Sequence, residues 1–162
     1  MKPNDDDSSA ADETWFDAWR GVLFASARVL RIADVDMLKH EGFPLTWFDV
    51  LSRLVDVGPA GLRMQELEGV ALFTRSGLTR LVDRIEAAGL VRREPVPGDR
   101  RGVRVVLTPD GRHRYTAAIG RHRQVIEREF GRRLTPAQHR AVADALWPWW
   151  HDGAPADSPD AS

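Results

Sequence analysis

Apolar residues recur at the three- and four-residue spacing of amphipathic helices along most of the chain. Together with prolines, glycines and capping residues at its breaks, this pattern predicts six helices. They are a first from 13 to 38, a second that begins at Thr46 and stops at Gly58, a short third that contains Met64, Leu67 and Val70, a fourth between Thr74 and Gly89, a fifth that follows Thr108 and Pro109, and a sixth that opens with Thr135 and Pro136 and ends in WPWW at 147–150.

The fourth helix carries the clearest signals at both ends. Thr74 is a predicted N-cap, and Phe73 and Leu78 occupy the two positions of a hydrophobic staple. Gly89 is placed as a left-handed terminator, with Leu90 positioned to pack back on the helix as in a Schellman end. The apolar stripe consists of Leu78, Leu81, Val82 and Ile85, and the opposite face shows Arg75, Ser76, Thr79, Arg80 and Asp83. A helix anchored along one side presents the other side rigidly.

A β-hairpin is predicted directly after this helix. The segments 91–96 and 103–107 are rich in valine and read as strands, and PGDRRG at 97–102 supplies the glycine and aspartate of a turn. The predicted fold class is therefore mainly α with a small β-hairpin wing.

Charge is distributed unevenly along the chain. The whole protein has a net charge of −1, but residues 75–104 hold eight arginines and four acids, which is +4 and leaves −5 for the remainder. A basic stripe in a near-neutral protein is typical of a surface that binds a polyanion. Its alternative interpretation is a solvated charged face.

The sequence lacks the motifs that would indicate several other classes of function. The absence of cysteine excludes disulfides and cysteine-ligated zinc, and the five histidines show no close metal spacing, so neither a metal nor a cofactor is predicted. The start, MKPNDDDSS, lacks the apolar core of a secretory signal, and no apolar run approaches the roughly 20 residues that span a bilayer. We therefore expect a cytoplasmic protein without membrane contact. No nucleophile elbow, glycine-rich phosphate loop or HExxH motif indicates an enzyme.

The order of a short helix, a turn, a capped helix with a polar and basic outer face, and a basic hairpin is the sequence form of a winged helix-turn-helix. The major groove of DNA admits one α-helix, whose side chains read base edges. The hairpin tip is long enough to reach the neighbouring minor groove, where negative potential favours arginine. A winged-helix module that binds another protein instead of specific DNA is the alternative hypothesis, and an enzyme is the weakest one.

Four motifs resemble the DNA-binding core of the MarR (multiple-antibiotic-resistance regulator) family. They are TRLVDR at 79–84, AGLVRR at 88–93, the wing DRR at 99–101 and LTPDG at 107–111. Each is weak alone, but four in order at the family's spacing are strong. The resemblance covers about residues 13–150 and implies a homodimer on a palindromic operator in double-stranded DNA. It also implies a ligand-responsive repressor with a small aromatic or phenolic effector.

The same resemblance implies a domain organisation. Residues 13–151 form one MarR-type winged helix-turn-helix domain, in which 13–45 and 109–151 are the helical dimerisation region and 46–108 the DNA-binding part. The flanking stretches 1–12 and 152–162 are rich in Asp, Ser, Ala and Pro and are predicted to be disordered tails.

The resemblance also implies which residues of this chain form the DNA-binding site, position by position. The groove-facing positions of the family match Thr74, Arg75, Ser76, Thr79 and Arg80. Asp99 and Arg101 match the wing pair, in which the acid orients the arginine that enters the minor groove, and Arg100 is expected to touch phosphate. Where this chain has Arg75 the family often has proline, so its base contacts are expected to differ from those of relatives. Asp83 and Arg84 are expected to form a local structural pair.

A candidate effector pocket involves Trp19, Trp47 and Asp49. The urate-responsive subgroup of the family resembles this chain at Trp47 and Asp49, but it has an arginine at the position of Leu81, which argues against urate. The tryptophans of the first and last helices are otherwise expected in core or interface packing. His122, on an apolar stripe of the fifth helix, is expected to be a hydrogen-bonded interior residue.

Overall fold

The computed structural model of the protein describes residues 13–68, 75–96 and 98–151. Six helices account for most of these residues and confirm the predicted fold class. They are α1 Thr14–Glu41, α2 Leu45–Val57, α3 Met64–Glu68, α4 Arg75–Ala87, α5 Pro109–Glu129 and α6 Pro136–His151. Two 3₁₀ turns, Gly58–Ala60 and Gly131–Arg133, follow α2 and α5.

A small antiparallel sheet lies between α2 and α5 in the chain order. Its strands are β1 Leu62–Arg63, β2 Val91–Val96 and β3 Asp99–Leu107, arranged in the order β1-β3-β2. The predicted hairpin is confirmed, but β3 begins at Asp99 rather than at 103, because an irregularity at Pro95/Val96 lets Val96 pair with Asp99. The turn is therefore tighter than predicted. The two-residue β1 was not predicted, since so short a strand shows no periodicity.

The helix ends follow the capping chemistry read from the sequence. Gly89 has φ +75°, and the Leu90 N–H donates to the Ile85 carbonyl at 3.2 Å, which is the Schellman end expected for α4. At the start of α5 the Thr108 hydroxyl accepts from the Gly111 N–H at 3.0 Å, with Pro109 in the first turn. The predicted cap at Thr74 and the staple at Phe73 lie outside the described residues.

Two apolar clusters both include residues of α2. The first joins α2 to α3, α4 and the sheet, and the second joins α2 to the C-terminal half of α1 and to α5. Trp47 and Tyr115 pack against both clusters, so the DNA-binding part and the long helices are in direct apolar contact. The end of α1 is also tied to α5, because Arg114 lies over the Phe43 ring at 5.3 Å and donates to the Glu41 carbonyl at 2.5 Å.

The N-terminal half of α1 and the described residues of α6 lie outside these two clusters. Residues 13–28 of α1 are all exposed, and between 136 and 148 in α6 only His139 and Val142 are half-buried. Trp15, Trp19 and Trp147 are 68%, 55% and 59% exposed. These tryptophans therefore do not pack in the chain's own core, because both helices project beyond the two clusters, and their expected packing in an interface stays a prediction. Trp149 and Trp150 have side chains outside the described part. In the described residues, every helix is too short or too polar to cross a membrane.

Candidate nucleic-acid interface

The central element of the candidate site is α4, whose two sides differ completely. Leu78, Leu81, Val82 and Ile85 are fully buried in the first cluster, whereas Thr79, Arg80, Asp83 and Arg84 are exposed. Thr79 and Arg80 therefore lie on the predicted outer face. Arg75 and Ser76 begin the helix, but their side chains, like the whole of Thr74, lie outside the described part.

An ion-pair cluster ties α4 to the first strand of the wing. Arg93 on β2 donates to Asp83 at 2.7 Å and to the Glu86 carboxylate, and its backbone N–H donates to Glu86 at 2.8 Å. The expected pair of Asp83 with Arg84 is wrong, because the partner of Asp83 is supplied by the sheet. Charge-assisted contacts to two carboxylates hold the exposed face of α4 in a set position relative to the wing.

A second cluster braces the base of the wing. Glu94 accepts from Arg92 at 2.9 Å and from Arg104 at 2.9 Å, and Arg104 also donates to the Ala60 carbonyl at 3.1 Å. Hydrogen bonds from Arg92 and then from Arg104 lower the pKa of Glu94 below its ordinary value. The carboxylate stays charged and neutralises part of the basic stripe at the sheet.

At the wing tip Asp99 accepts a hydrogen bond from Arg63 on β1 at 2.9 Å. The sequence did not indicate this partner, since position 63 precedes the short third helix and no local pattern relates it to the wing. Arg100 and Arg101 lie in β3, but their side chains are outside the described part, so the predicted pairing of Asp99 with Arg101 stays a prediction.

The three residues of the candidate effector pocket do not meet within the single chain. Trp47 stacks on Phe43 with ring centroids 6.1 Å apart, and its buried Nε1 has no hydrogen-bond partner among the described residues. Asp49 lies two positions further along α2, on the other side of the helix, and is exposed. Trp19 lies 14 positions, or about 21 Å of helix, before Ala33, the first residue of α1 that is buried in the cluster against which Trp47 packs.

Two ionisable side chains on the inner helices have shifted pKa values. Although Asp49 is at the surface, desolvation by the surrounding protein raises the pKa of its carboxyl, and the charge of Arg53 opposes this. Burial lowers the pKa of His122, whose ring is 4.6 Å from that of Phe48. His122 is half-buried rather than fully interior as predicted, and its buried Nδ1 has no hydrogen-bond partner in the described part. Over the same residues, no three ligand-type side chains form a metal cluster.

A helix-turn-helix of α3 and α4, followed by the β2–β3 hairpin as a wing, defines a winged helix-turn-helix protein. The family model described as "MarR family" matches residues 41–102. The regulator PecS of Dickeya dadantii (strain 3937) is 38% identical over 65 residues, which cover 40% of this chain and 39% of PecS. Residues 41–102 therefore match the MarR family, as the motifs of the sequence predicted.

Solved structures resemble almost the whole chain. Sco3205, a MarR family transcriptional regulator from Streptomyces coelicolor solved in complex with DNA, is 28% identical, with a TM-score of 0.77 over 88% of this chain and 89% of that one. AbsC, another MarR family regulator from the same organism, is 26% identical, with a TM-score of 0.74 over 94% and 97%. The match to PecS, by contrast, spans well under half of that protein.

Proposed function

We propose that the protein is a cytoplasmic, ligand-responsive repressor that binds a palindromic operator as a homodimer. The observation that carries this proposal is the exposed face of α4, with Thr79 and Arg80 outward, the opposite side fully buried, and Arg93 locking the helix to the wing. A rigid helix of this kind suits insertion into the major groove. Sco3205, which resembles the chain over most of its length, was solved in complex with DNA.

Within this proposal the site consists of two parts. Thr74, Arg75, Ser76, Thr79 and Arg80 approach base edges and phosphates in the major groove. Asp99, Arg100 and Arg101 form the wing tip, where Arg101 enters the minor groove. The DNA-binding part is 46–108, and the segments 13–45 and 109–151 belong to the dimerisation region.

The exposed apolar residues of α1 and α6 support the homodimer. Monomeric proteins rarely expose large contiguous apolar patches, yet α1 and α6 present Trp15, Trp19, Phe24 and Trp147 to solvent. A second copy of the chain, packing α1, α5 and α6 against their counterparts, would cover this surface. An interface of this composition is expected to be obligate and to bury more than roughly 2,000 Å² in total.

An effector is proposed to bind where the two parts meet, near Trp47 and Asp49. The unpartnered Trp47 Nε1 lies at the junction of the two apolar clusters and could donate to an acceptor on an aromatic ligand. Because Trp19 is distant within the chain, it would reach this region only from the partner subunit.

A salt titration of binding to the protein's own promoter fragment tests the DNA proposal. With roughly 6–10 phosphates contacted by the dimer, affinity should fall about 10³–10⁵-fold between about 50 and 200 mM salt. Footprinting should reveal a palindrome with half-sites roughly 10 base pairs apart. A flat salt response, or equal affinity for the promoter and for random DNA, would instead favour a winged-helix module that binds another protein.

A further inference from the structure

The Arg63–Asp99 ion pair joins two parts of the DNA-binding unit that are 36 residues apart in the chain. Asp99 is the first residue of β3, at the tip of the wing, and Arg63 ends β1 immediately before α3. The pair spans from the start of the helix-turn-helix to the end of the wing. It lies at the opposite end of β3 from the junction with α5.

The backbone of Arg63 is positioned by α3 itself. Its N–H donates to the Glu66 carboxylate at 2.6 Å, so Glu66 closes the first turn of α3 on the residue that precedes it. β1 is held against β3 by close backbone approach, because a side chain on Gly61 would lie 2.4 Å from the Val105 carbonyl oxygen. The backbone of Arg63 is therefore held by both α3 and β3, and only its side chain can change position when the wing moves.

The Asp99 side chain is also confined by its neighbours, because it lies close to the backbone of Gly102. A Cβ on Gly102 would lie 2.6 Å from Asp99 Oδ2 and 3.0 Å from the Val96 Cβ. The carboxylate therefore folds over the wing turn in space that only glycine leaves open, and the oxygen in that space, Oδ2, is the one that accepts from Arg63. The geometry of the turn and the ion pair depend on each other.

This pair is poorly suited to stabilising the fold. Its side chains are 46% and 40% exposed, and exposed ion pairs contribute little to folding stability. Its position matters more for a ligand with negative charge. A carboxylate at the wing tip repels phosphates and the negative potential of the minor groove, and Arg63 offsets that charge while restraining the tip.

We propose that Arg63 is a positioning residue for DNA binding, acting through Asp99 to set the angle and charge of the wing tip relative to the helix-turn-helix. The inference rests on the proposed function, since it assumes that the wing engages DNA. Arg63 itself does not contact the phosphate backbone. Loss of Arg63 removes one of the contacts that restrain the wing tip, and without Asp99 the side chain of Arg63 has no wing residue through which to act.

A double-mutant cycle on the full-length protein tests this dependence. Arg63→Ala should weaken binding to the footprinted promoter fragment by about tenfold, because an effect of about threefold per subunit acts in both wings of the dimer. Asp99→Ala should weaken it by at least as much, because Asp99 is also proposed to orient Arg101. The double variant should bind as Asp99→Ala alone does, and a double variant about tenfold weaker than Asp99→Ala would show that the residues act independently and would overturn the proposal.

The salt dependence separates positioning from direct contact. If Arg63 acts through Asp99, the slope of log K against log salt should be the same for Arg63→Ala and the wild type. If Arg63 touched one phosphate per subunit, the slope would become shallower by about 1.8, and the proposal would be wrong. Arg132→Ala is the matched control, since it removes an arginine from another exposed pair, with Glu127 at 3.2 Å, and should leave affinity unchanged.

A measurement without DNA distinguishes failure of this inference from failure of the proposed function. In the free protein, amide exchange at residues 98–102 should be faster in Arg63→Ala than in the wild type, while the melting temperature stays the same. Unchanged exchange would overturn the positioning role even if the wild type binds DNA. A wild type that binds no DNA, with faster exchange in the variant, would refute the proposed function and with it the role of Arg63 in binding.

Discussion

Substitution of Gly111 by alanine should destabilise the protein, although alanine is the better helix former. Gly111 lies in the first turn of α5, where the helix crosses the end of α4 and the start of β2. An added Cβ would lie 2.0 Å from the Leu90 carbonyl oxygen and 2.8 Å from Leu107 Cδ1. The first of these is a backbone atom, so α5 must move away to relieve the clash.

The loss of stability can be estimated from the hydrogen bonds made at the Leu90 carbonyl. This carbonyl accepts from the Thr108 N–H at 3.1 Å, while the single O–H of Thr108 is shared between the Gly89 carbonyl at 2.7 Å and the Leu90 carbonyl at 3.0 Å, and a shift of α5 would weaken both the N–H and the O–H bond. Overpacking typically costs about 1–3 kcal/mol, and each weakened hydrogen bond about 0.5–1.5 kcal/mol. The intrinsic gain of alanine over glycine in a helix offsets about 1 kcal/mol. The net loss should be about 1–5 kcal/mol, or roughly 3–15 °C in Tm.

Gly120→Ala in the same helix is the matched control. No atom lies within 4 Å of the position of its Cβ, so only the gain in helix propensity acts, and Tm should rise by about 1–4 °C. Thermal melts of both variants, followed by circular dichroism at equal protein concentration, give the comparison. A Gly111→Ala protein as stable as the wild type would refute the reasoning from close approach.

Further predictions concern the groove contacts, the dimer and acid stability. Arg80→Ala should relax discrimination at one base of each half-site at a cost of about 1–3 kcal/mol, whereas Arg101→Ala should weaken binding most on A·T-rich flanks. Binding to a randomised operator library measures both effects, and the reverse result would mean that the roles assigned to the helix and the wing are exchanged. Trp19→Asp should convert the dimer into a monomer near 18.2 kDa by sedimentation, and a variant that stays dimeric would place Trp19 outside the interface. Because burial lowers the pKa of His122 from 6.5, the unfolded chain binds its proton first, so stability should fall as the pH drops below about 6.5. His122→Gln should flatten that fall in urea melts from pH 7.5 to 5, and identical pH profiles would contradict the assignment.

Local chemistry allowed much of the fold to be predicted from the sequence. A glycine at 89 with a following leucine, a threonine and proline at 108–109, and apolar positions at helical spacing each act through neighbours within about four residues. For the same reason the outer face of α4 could be predicted from helical periodicity, because Thr79 and Arg80 share a side that the apolar stripe leaves free. The four motifs likewise indicated the MarR family, since each is a short stretch of consecutive residues.

Tertiary structure alone decided the contacts that brace the DNA-binding unit. Arg63 meets Asp99 and Arg104 meets Ala60 only because β1 docks on β3, and that docking depends on a close backbone approach at Gly61 that has no periodic signature. Asp83 likewise has Arg84 beside it in the chain, yet it pairs with Arg93, which the hairpin carries back to α4. Ion pairs depend on where side chains end in space, and for residues tens of positions apart that is set by strand register and packing rather than by local sequence.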